Sequence, residues 1–166
     1  MDRLSSDWNC DPLARTVPAP GYQADVTAVA ALLYSPDRRF LMQLRDDRPG
    51  LSLPGHWAFF AGQVEFDETA DQAISREIQE ELSWRPQALH WFCETVQSLP
   101  RPVRPIVRRV WYQGALPQSD LSFLRQTEGQ DMRLFTLDEM VRLDRIAPWD
   151  LATAMLWARR SDLFPG

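Results

Sequence analysis

The stretch GQVEFDETADQAISREIQEELS, residues 62–83, constrains the fold more than any other part of this chain. Ala70, Ala73, Ile74, Ile78 and Leu82 recur at helical spacing, so the pattern predicts a helix from Thr69 to Leu82. Its apolar stripe needs a sheet or a second helix to cover it. Glu77, Glu80 and Glu81 fall at i, i+3 and i+4 and share a different face. Like charges placed this way repel by a few tenths of a kcal/mol per pair, on the order of 0.2–0.5. At this point two readings stand side by side. The glutamates form a solvated acidic face, or they form an oxygen-rich site for a hard divalent cation such as Mg²⁺. Glu68 and Asp71 lie near the helix start, where negative charge suits the dipole. Arg76 is one turn from Glu80 and can fold back to Glu68. Gly62 lets the chain turn sharply between a strand and this helix.

The flanking sequence supplies the sheet. VTAVAALLY (26–34) reads as a buried strand that ends in the turn SPDR, and RFLMQLR (39–45) as its hairpin partner. WAFFAG reads as one short buried strand leading into Gly62. ALHWFCETV (88–96), IVRRVWYQGAL (106–116) and MRLFTL (132–137) are further strands. DEMVRLD is a short helix with Asp138 as its N-cap, and PWDLATAMLWARR (148–160) is a C-terminal helix with Pro148 or Trp149 in its first turn. Strands, one helix, more strands and terminal helices make an α/β fold with a mixed sheet and no alternating βαβ units. Residues 1–24 are polar and proline-bearing and read as an arm. Residues 25–166 read as one domain, the size a 166-residue chain suggests.

Composition excludes some functions. A net charge of −5 and a pI near 5.0 do not suit non-specific binding to nucleic-acid backbones, so no nucleic-acid partner is expected. The positive charge is carried by arginine, whose fork grips phosphate; the codon bias of a GC-rich genome is the plainer cause. Cys10 and Cys93 match no metal-ligand spacing and no disulfide framework, and they read as reduced thiols of a cytoplasmic protein. The N-terminal residues have no apolar core after their charges, so no signal peptide is expected. The apolar run at 26–34 is too short to span a bilayer.

Gly62, Glu68, Arg76, Glu77, Ile78, Glu80 and Glu81 together resemble the Nudix box, G-x5-E-x7-R-E-U-x-E-E-x-G-U, where U is a bulky apolar residue. The spacing fits without a gap. Trp84 takes the last apolar position and Ser83 replaces the final glycine. The flanking segments LPGHWAFFAGQVE and FLMQLRDDRPG also look like bacterial Nudix hydrolases, extending the resemblance to about residues 25–160. The resemblance implies an α/β/α sandwich around a mixed sheet. It implies Mg²⁺- or Mn²⁺-dependent hydrolysis of a nucleoside diphosphate linked to another group, with (d)NTPs and oxidised (d)NTPs among the candidates. Within this frame the metal reading of the glutamates is the stronger. Glu77, Glu80 and Glu81 would be metal ligands, joined by the backbone carbonyl of Ala61. Glu77 or a nearby acid would be the base, Arg76 would orient Glu77, and Glu68 would pair with Arg76. Glu128, in TEGQD, is the best further ligand or base outside the box.

Arg45 reads either as a substrate-phosphate contact or as a surface charge beside Asp46 and Asp47. Glu65, Asp67 and Asp71 match only wildcard positions and read as surface charge. Trp57, Phe59 and Phe60 could stack on a base, but alternating aromatics in a strand more often fill core. His56 and His90 read as structural. The expected partner is a small-molecule nucleotide, with monomer and homodimer both open. Two rival functions are a non-catalytic nucleotide-sensing module and a Nudix-fold isoprenoid diphosphate isomerase. The retained glutamates favour hydrolysis over sensing, and Cys93 follows the box where the isomerase needs a cysteine before it. Substrate choice is expected in the loops 46–56, 97–105 and 117–130.

Overall fold

The computed structural model describes residues 24–98 and 106–163. The first strand, β1 (Val26–Tyr34), organises everything else. Its residues alternate between two apolar clusters: Val29, Ala31 and Leu33 face one, Ala30 and Leu32 the other. A strand buried on both faces reads as a near-continuous apolar run, and this one is apolar and buried from Ala28 to Leu33. It pairs antiparallel with β2 (Phe40–Leu44) and β4 (Phe60–Gln63), and parallel with β6 (Ile106–Ala115) from Val26↔Val107 to Tyr34↔Ala115. The remaining strands are β3 (Trp57–Ala58), β5 (His90–Ser98) and β7 (Asp131–Phe135). The order β3-β2-β1-β6-β5, with β4 on β1 and β7 on β2, completes a mixed seven-stranded sheet.

Helix α1 (Ala70–Leu82) covers one face of this sheet. Ile74, Ile78 and Leu82 are fully buried there against Val29, Leu33, Phe60 and Val110. Each such side chain contributes about 1.5–3 kcal/mol of burial, so a charge at Ile78 would unseat the helix. Thr69 starts the helix with a reciprocal cap: the Gln72 N–H donates to Thr69 Oγ1 at 3.3 Å, and the Thr69 N–H donates to Gln72 Oε1 at 2.8 Å. Helices α2 (Leu137–Val141) and α3 (Pro148–Ala158) lie on the opposite face, where Met140, Ala154 and Trp157 pack on Phe40, Phe59, Trp111 and Phe135. A short helix α4 (Arg160–Leu163) follows. The fold is therefore the α/β/α sandwich around a mixed sheet. Among the described residues no helix is long and apolar enough to cross a membrane.

Several expected boundaries move. WAFFAG is two strands rather than one: Trp57–Ala58 pairs with β2 and Phe60–Gln63 with β1. At the switch, the Phe59 N–H donates to Asp150 Oδ2 at 2.6 Å. The cap of α2 is Thr136, not Asp138: Thr136 Oγ1 accepts from the Glu139 N–H at 3.2 Å, and the Glu139 carboxylate accepts from the Thr136 N–H at 2.8 Å. The C-terminal helix stops at Ala158 rather than 160, with Arg159 as its cap. A 3-10 helix at Gln118–Phe123 occupies part of the segment expected to be loop. Phe59 and Phe60 are fully buried, and Trp57 packs edge-on against Phe135, so these aromatics are core. The expected arm, Cys10 with it, and most of the 97–105 loop lie outside the described residues.

Candidate metal centre

The box residues converge on one guanidinium. Arg76 Nη2 donates to Glu68 Oε1 at 2.6 Å and to the Gln63 carbonyl at 3.1 Å, and Nε donates to Glu68 Oε2 at 3.1 Å. Nη1 donates to Glu77 Oε1 at 2.9 Å and to Glu80 Oε2 at 3.1 Å. Glu68 also accepts the Glu65 N–H at 2.9 Å, which closes the acidic loop before the helix. Arg76 thus ties the loop, the end of β4 and two glutamates of α1 together. Its hydrogen bonds hold the Glu68 carboxyl below the usual range, while its own pKa is raised, first by Glu68.

Glu77 and Glu81 sit deeper. Burial raises the pKa of Glu77, opposed by Arg76. A Cβ at Gly62 would collide with the Glu77 carboxyl, so glycine is needed there for close approach. Glu81 is 5% exposed, and among the described residues it has no ion-pair partner. Gln43 Nε2 donates to its two oxygens at long range, 3.4 and 3.3 Å. Burial, then the charge of Glu77, pushes Glu81 up to about 8. Glu128 is exposed, and its charge reaches both Glu77 and Glu81. Glu80 points outward, with 59% of its side chain exposed.

Ala61 lies in β4 opposite Ala30, immediately before Gly62. Arg45 donates from Nε to the Ser52 carbonyl at 3.0 Å, and its charge acts on Glu81 and Asp150. Arg45 and Ala61 line a cavity of about 60 Å³ together with a buried ion pair, Arg109 Nη1 to Asp150 Oδ1 at 3.3 Å. Burial pushes Asp150 up to about 6, opposed by Arg109 and by the Phe59 N–H. Among the described residues Ser52 Oγ and Arg109 Nε have no hydrogen-bond partner. A larger groove, about 830 Å³, runs along the flank of α1 toward His90, Trp91 and Tyr112, and it includes Arg76 and Glu80. Asp71, read as surface charge, accepts a hydrogen bond from the Tyr112 hydroxyl. His56 bonds the Pro54 carbonyl at 2.9 Å, a structural role.

The donor set suits a hard cation: carboxylate oxygens only, one of them on a buried, unpaired Glu81. As the side chains stand, no three Asp, Glu, His or Cys groups among the described residues converge tightly enough to hold an ion. Instead Arg76 Nη1 lies between Glu77 and Glu80.

A family model described as NUDIX domain matches residues 25–157. The chain belongs to the Nudix hydrolase family. The match covers the sheet, the Nudix box and most of α3. Solved Nudix structures share the fold at low identity. The NUDIX domain of Shewanella oneidensis NrtR complexed with ADP ribose is 19% identical, with a TM-score of 0.67 over 92% of this chain and 97% of that one. The Escherichia coli dihydroneopterin triphosphate pyrophosphohydrolase is 22% identical, with a TM-score of 0.64 over 79% and 92%. A Caenorhabditis elegans Ap4A hydrolase is 19% identical, with a TM-score of 0.63 over 84% and 99%. No curated protein matches the chain. Two contributors were not singled out from the sequence. Gln43 is a polar residue inside the apolar run FLMQL, and Asp150 lies on the buried stripe Asp150, Thr153, Ala154 and Trp157. Either breach of pattern marks them.

Proposed function

We propose that this Nudix protein hydrolyses the diphosphate bond of a nucleoside diphosphate linked to another group, with Mg²⁺ or Mn²⁺ held by Glu77, Glu80 and Glu81. The observation that carries this reading is the buried Glu81 carboxyl, which feels the charge of Glu77 and, among the described residues, has no ion-pair partner. A carboxylate in that position is costly unless a cation joins it. Glu80, exposed, would turn from Arg76 to complete the set, and the Ala61 carbonyl would add a neutral ligand. When bound, a divalent cation lowers the pKa of water and offsets charge on the phosphoryl group.

The chain's own residues do the rest. A water oxygen forms a bond to phosphorus, the bond from that phosphorus to the bridging oxygen breaks, and the water's proton passes to a carboxylate. Glu77 or Glu128 takes that proton, and Arg76, fixed by Glu68, holds Glu77 in line. Arg45, which lines the small cavity, neutralises a substrate phosphate. The test is a Mg²⁺-dependent hydrolysis screen of nucleotide sugars, NTPs, dinucleoside polyphosphates, ADP-ribose and NADH. Turnover that needs the metal and is lost in Glu81→Gln supports the reading. No turnover of any compound, with binding of one of them, favours the second reading, a nucleotide sensor, for which the ADP-ribose complex of the NrtR domain is the relevant likeness.

A further inference from the structure

We infer that Thr127 is a positioning residue for the Glu128 carboxylate. The inference rests on the metal-centred hydrolysis proposed above.

A helix leaves its last carbonyls without intrahelical donors. Helix α1 has no basic side chain in its last turn to take them. The segment after the 3-10 helix takes them instead. The Arg125 N–H donates to the Leu82 carbonyl at 2.9 Å and the Thr127 N–H to the Glu81 carbonyl at 3.0 Å. Thr127 Oγ1 donates to the Glu80 carbonyl at 2.6 Å. These carbonyls belong to the residues whose side chains form the acidic cluster, and to the one that follows them.

The other end of the segment is fastened to β2. The Gln130 N–H donates to the Leu44 carbonyl at 2.8 Å, and Gln130 Nε2 donates to the Arg45 carbonyl at 2.8 Å. Between the two anchors, Gln126 Nε2 donates to the Glu128 carbonyl at 2.6 Å and to the Asp131 carbonyl at 3.1 Å. Gly129 has φ +83, and a Cβ there would stand 2.8 Å from the Leu44 carbonyl oxygen, so the chain presses close to β2.

Glu128 sits inside this clasp. Its carboxylate has no side-chain hydrogen bond or ion pair among the described residues. Its charge reaches Glu77 and Glu81, so where its backbone is held decides how near the carboxylate can come to them, and the nearest anchor is Thr127, one residue away. The Thr127 hydroxyl keeps Glu128 in step with the helix that carries the other carboxylates.

The test is a double-mutant cycle with Thr127→Val and Glu128→Gln, read in two ways: Mn²⁺ affinity of the substrate-free protein by electron paramagnetic resonance, and kcat on the best compound of the hydrolysis screen. Valine keeps the shape and removes the hydroxyl, and the freed Glu80 carbonyl can take water. We expect Thr127→Val to lower kcat by about tenfold or more, because a carboxylate displaced by an ångström acts poorly. Mn²⁺ affinity should fall less than kcat, because Glu128 takes the proton and acts on the cation only through its charge, and KM for the substrate should hardly move. In the Glu128→Gln background the same change should cost less than about twofold. Thr127→Ser should restore both readouts. Equal losses in the two backgrounds, or no loss in the parent protein, would overturn the inference. Glu81→Gln measured alongside separates the two levels: if it is inactive while Thr127 and Glu128 act additively, only the role of Thr127 fails; if it is fully active and binds Mn²⁺ as before, the metal reading fails.

Discussion

The carboxyl of Glu77 fills the space that a side chain at Gly62 would need. The spacing from Gly62 to Glu77 is thus a steric fit between the end of β4 and the body of α1. Gly62→Ala should push the Glu77 side chain aside and leave the sheet intact, because the obstructing atoms are the far end of a flexible group. We expect a loss of activity of about a hundredfold, with the melting temperature little changed. Metal-dependent turnover and circular dichroism on the same preparation check both halves.

Glu68 and Glu77 both bind Arg76, yet they should differ in consequence. Glu68 meets the guanidinium through both oxygens and faces the loop, whereas Glu77 lies in the acidic cluster. Glu68→Gln should reduce kcat less than Glu77→Gln. Equal losses in two well-folded variants would contradict that division of labour.

The pKa of Glu81 gives stability a pH dependence with a definite sign. Its folded value, about 8, lies above the 4.5 of the unfolded chain. The folded metal-free protein therefore holds more protons than the unfolded one across that window, and stability falls as pH rises from about 4.5 through 8. Glu81→Gln should flatten this decline and abolish turnover. Mg²⁺ should restore stability to the parent protein at high pH but not to the variant. Thermal melts at several pH values, with and without Mg²⁺, measure all three.

Ser83 ends α1 in the left-handed region, φ 49 and ψ 31, with its N–H on the Gln79 carbonyl at 3.0 Å. A left-handed cap costs a serine about 1 kcal/mol relative to glycine. Ser83→Gly should raise stability by up to about 1 kcal/mol, less the extra freedom of glycine in the unfolded chain. Activity should stay within error. A lower melting temperature would refute the strained cap.

Asp150→Asn should destabilise by roughly 3–5 kcal/mol, because it strands the Arg109 charge in a buried site. Adding Arg109→Met should recover part of the loss, and chemical denaturation of the single and double variants measures the recovery.

Local pattern carried much of this molecule. β1 was legible to the residue because a strand buried on both faces reads as a near-continuous apolar and β-branched run closed by a turn, and α1 because its stripe and cap are both local. The cluster around Arg76 was legible because a helix fixes the spacing of Glu77, Glu80 and Glu81 and leaves only the return to Glu68 to be guessed. What the sequence hid was long-range partnership. Nothing near Phe59 announces that its N–H belongs to Asp150, and nothing near Thr127 announces the end of α1. Asp138 looked like a cap because caps are read from residue type, but Thr136 two positions earlier closes a reciprocal pair with Glu139 that Asp138 cannot.

The strand switch at Phe59 also limits how this chain can change in length. Phe59 points into the α3 layer and Phe60 into the α1 layer, and Gly62 must arrive opposite Glu77 two residues later. Substitutions between Trp57 and Gly62 can be absorbed one at a time by repacking. A single inserted or deleted residue cannot, since it would exchange the two faces and carry the glycine out of line with the helix in the same step. Length variation in this protein should therefore collect in the segment before Trp57 and be absent from the six residues Trp57 to Gly62.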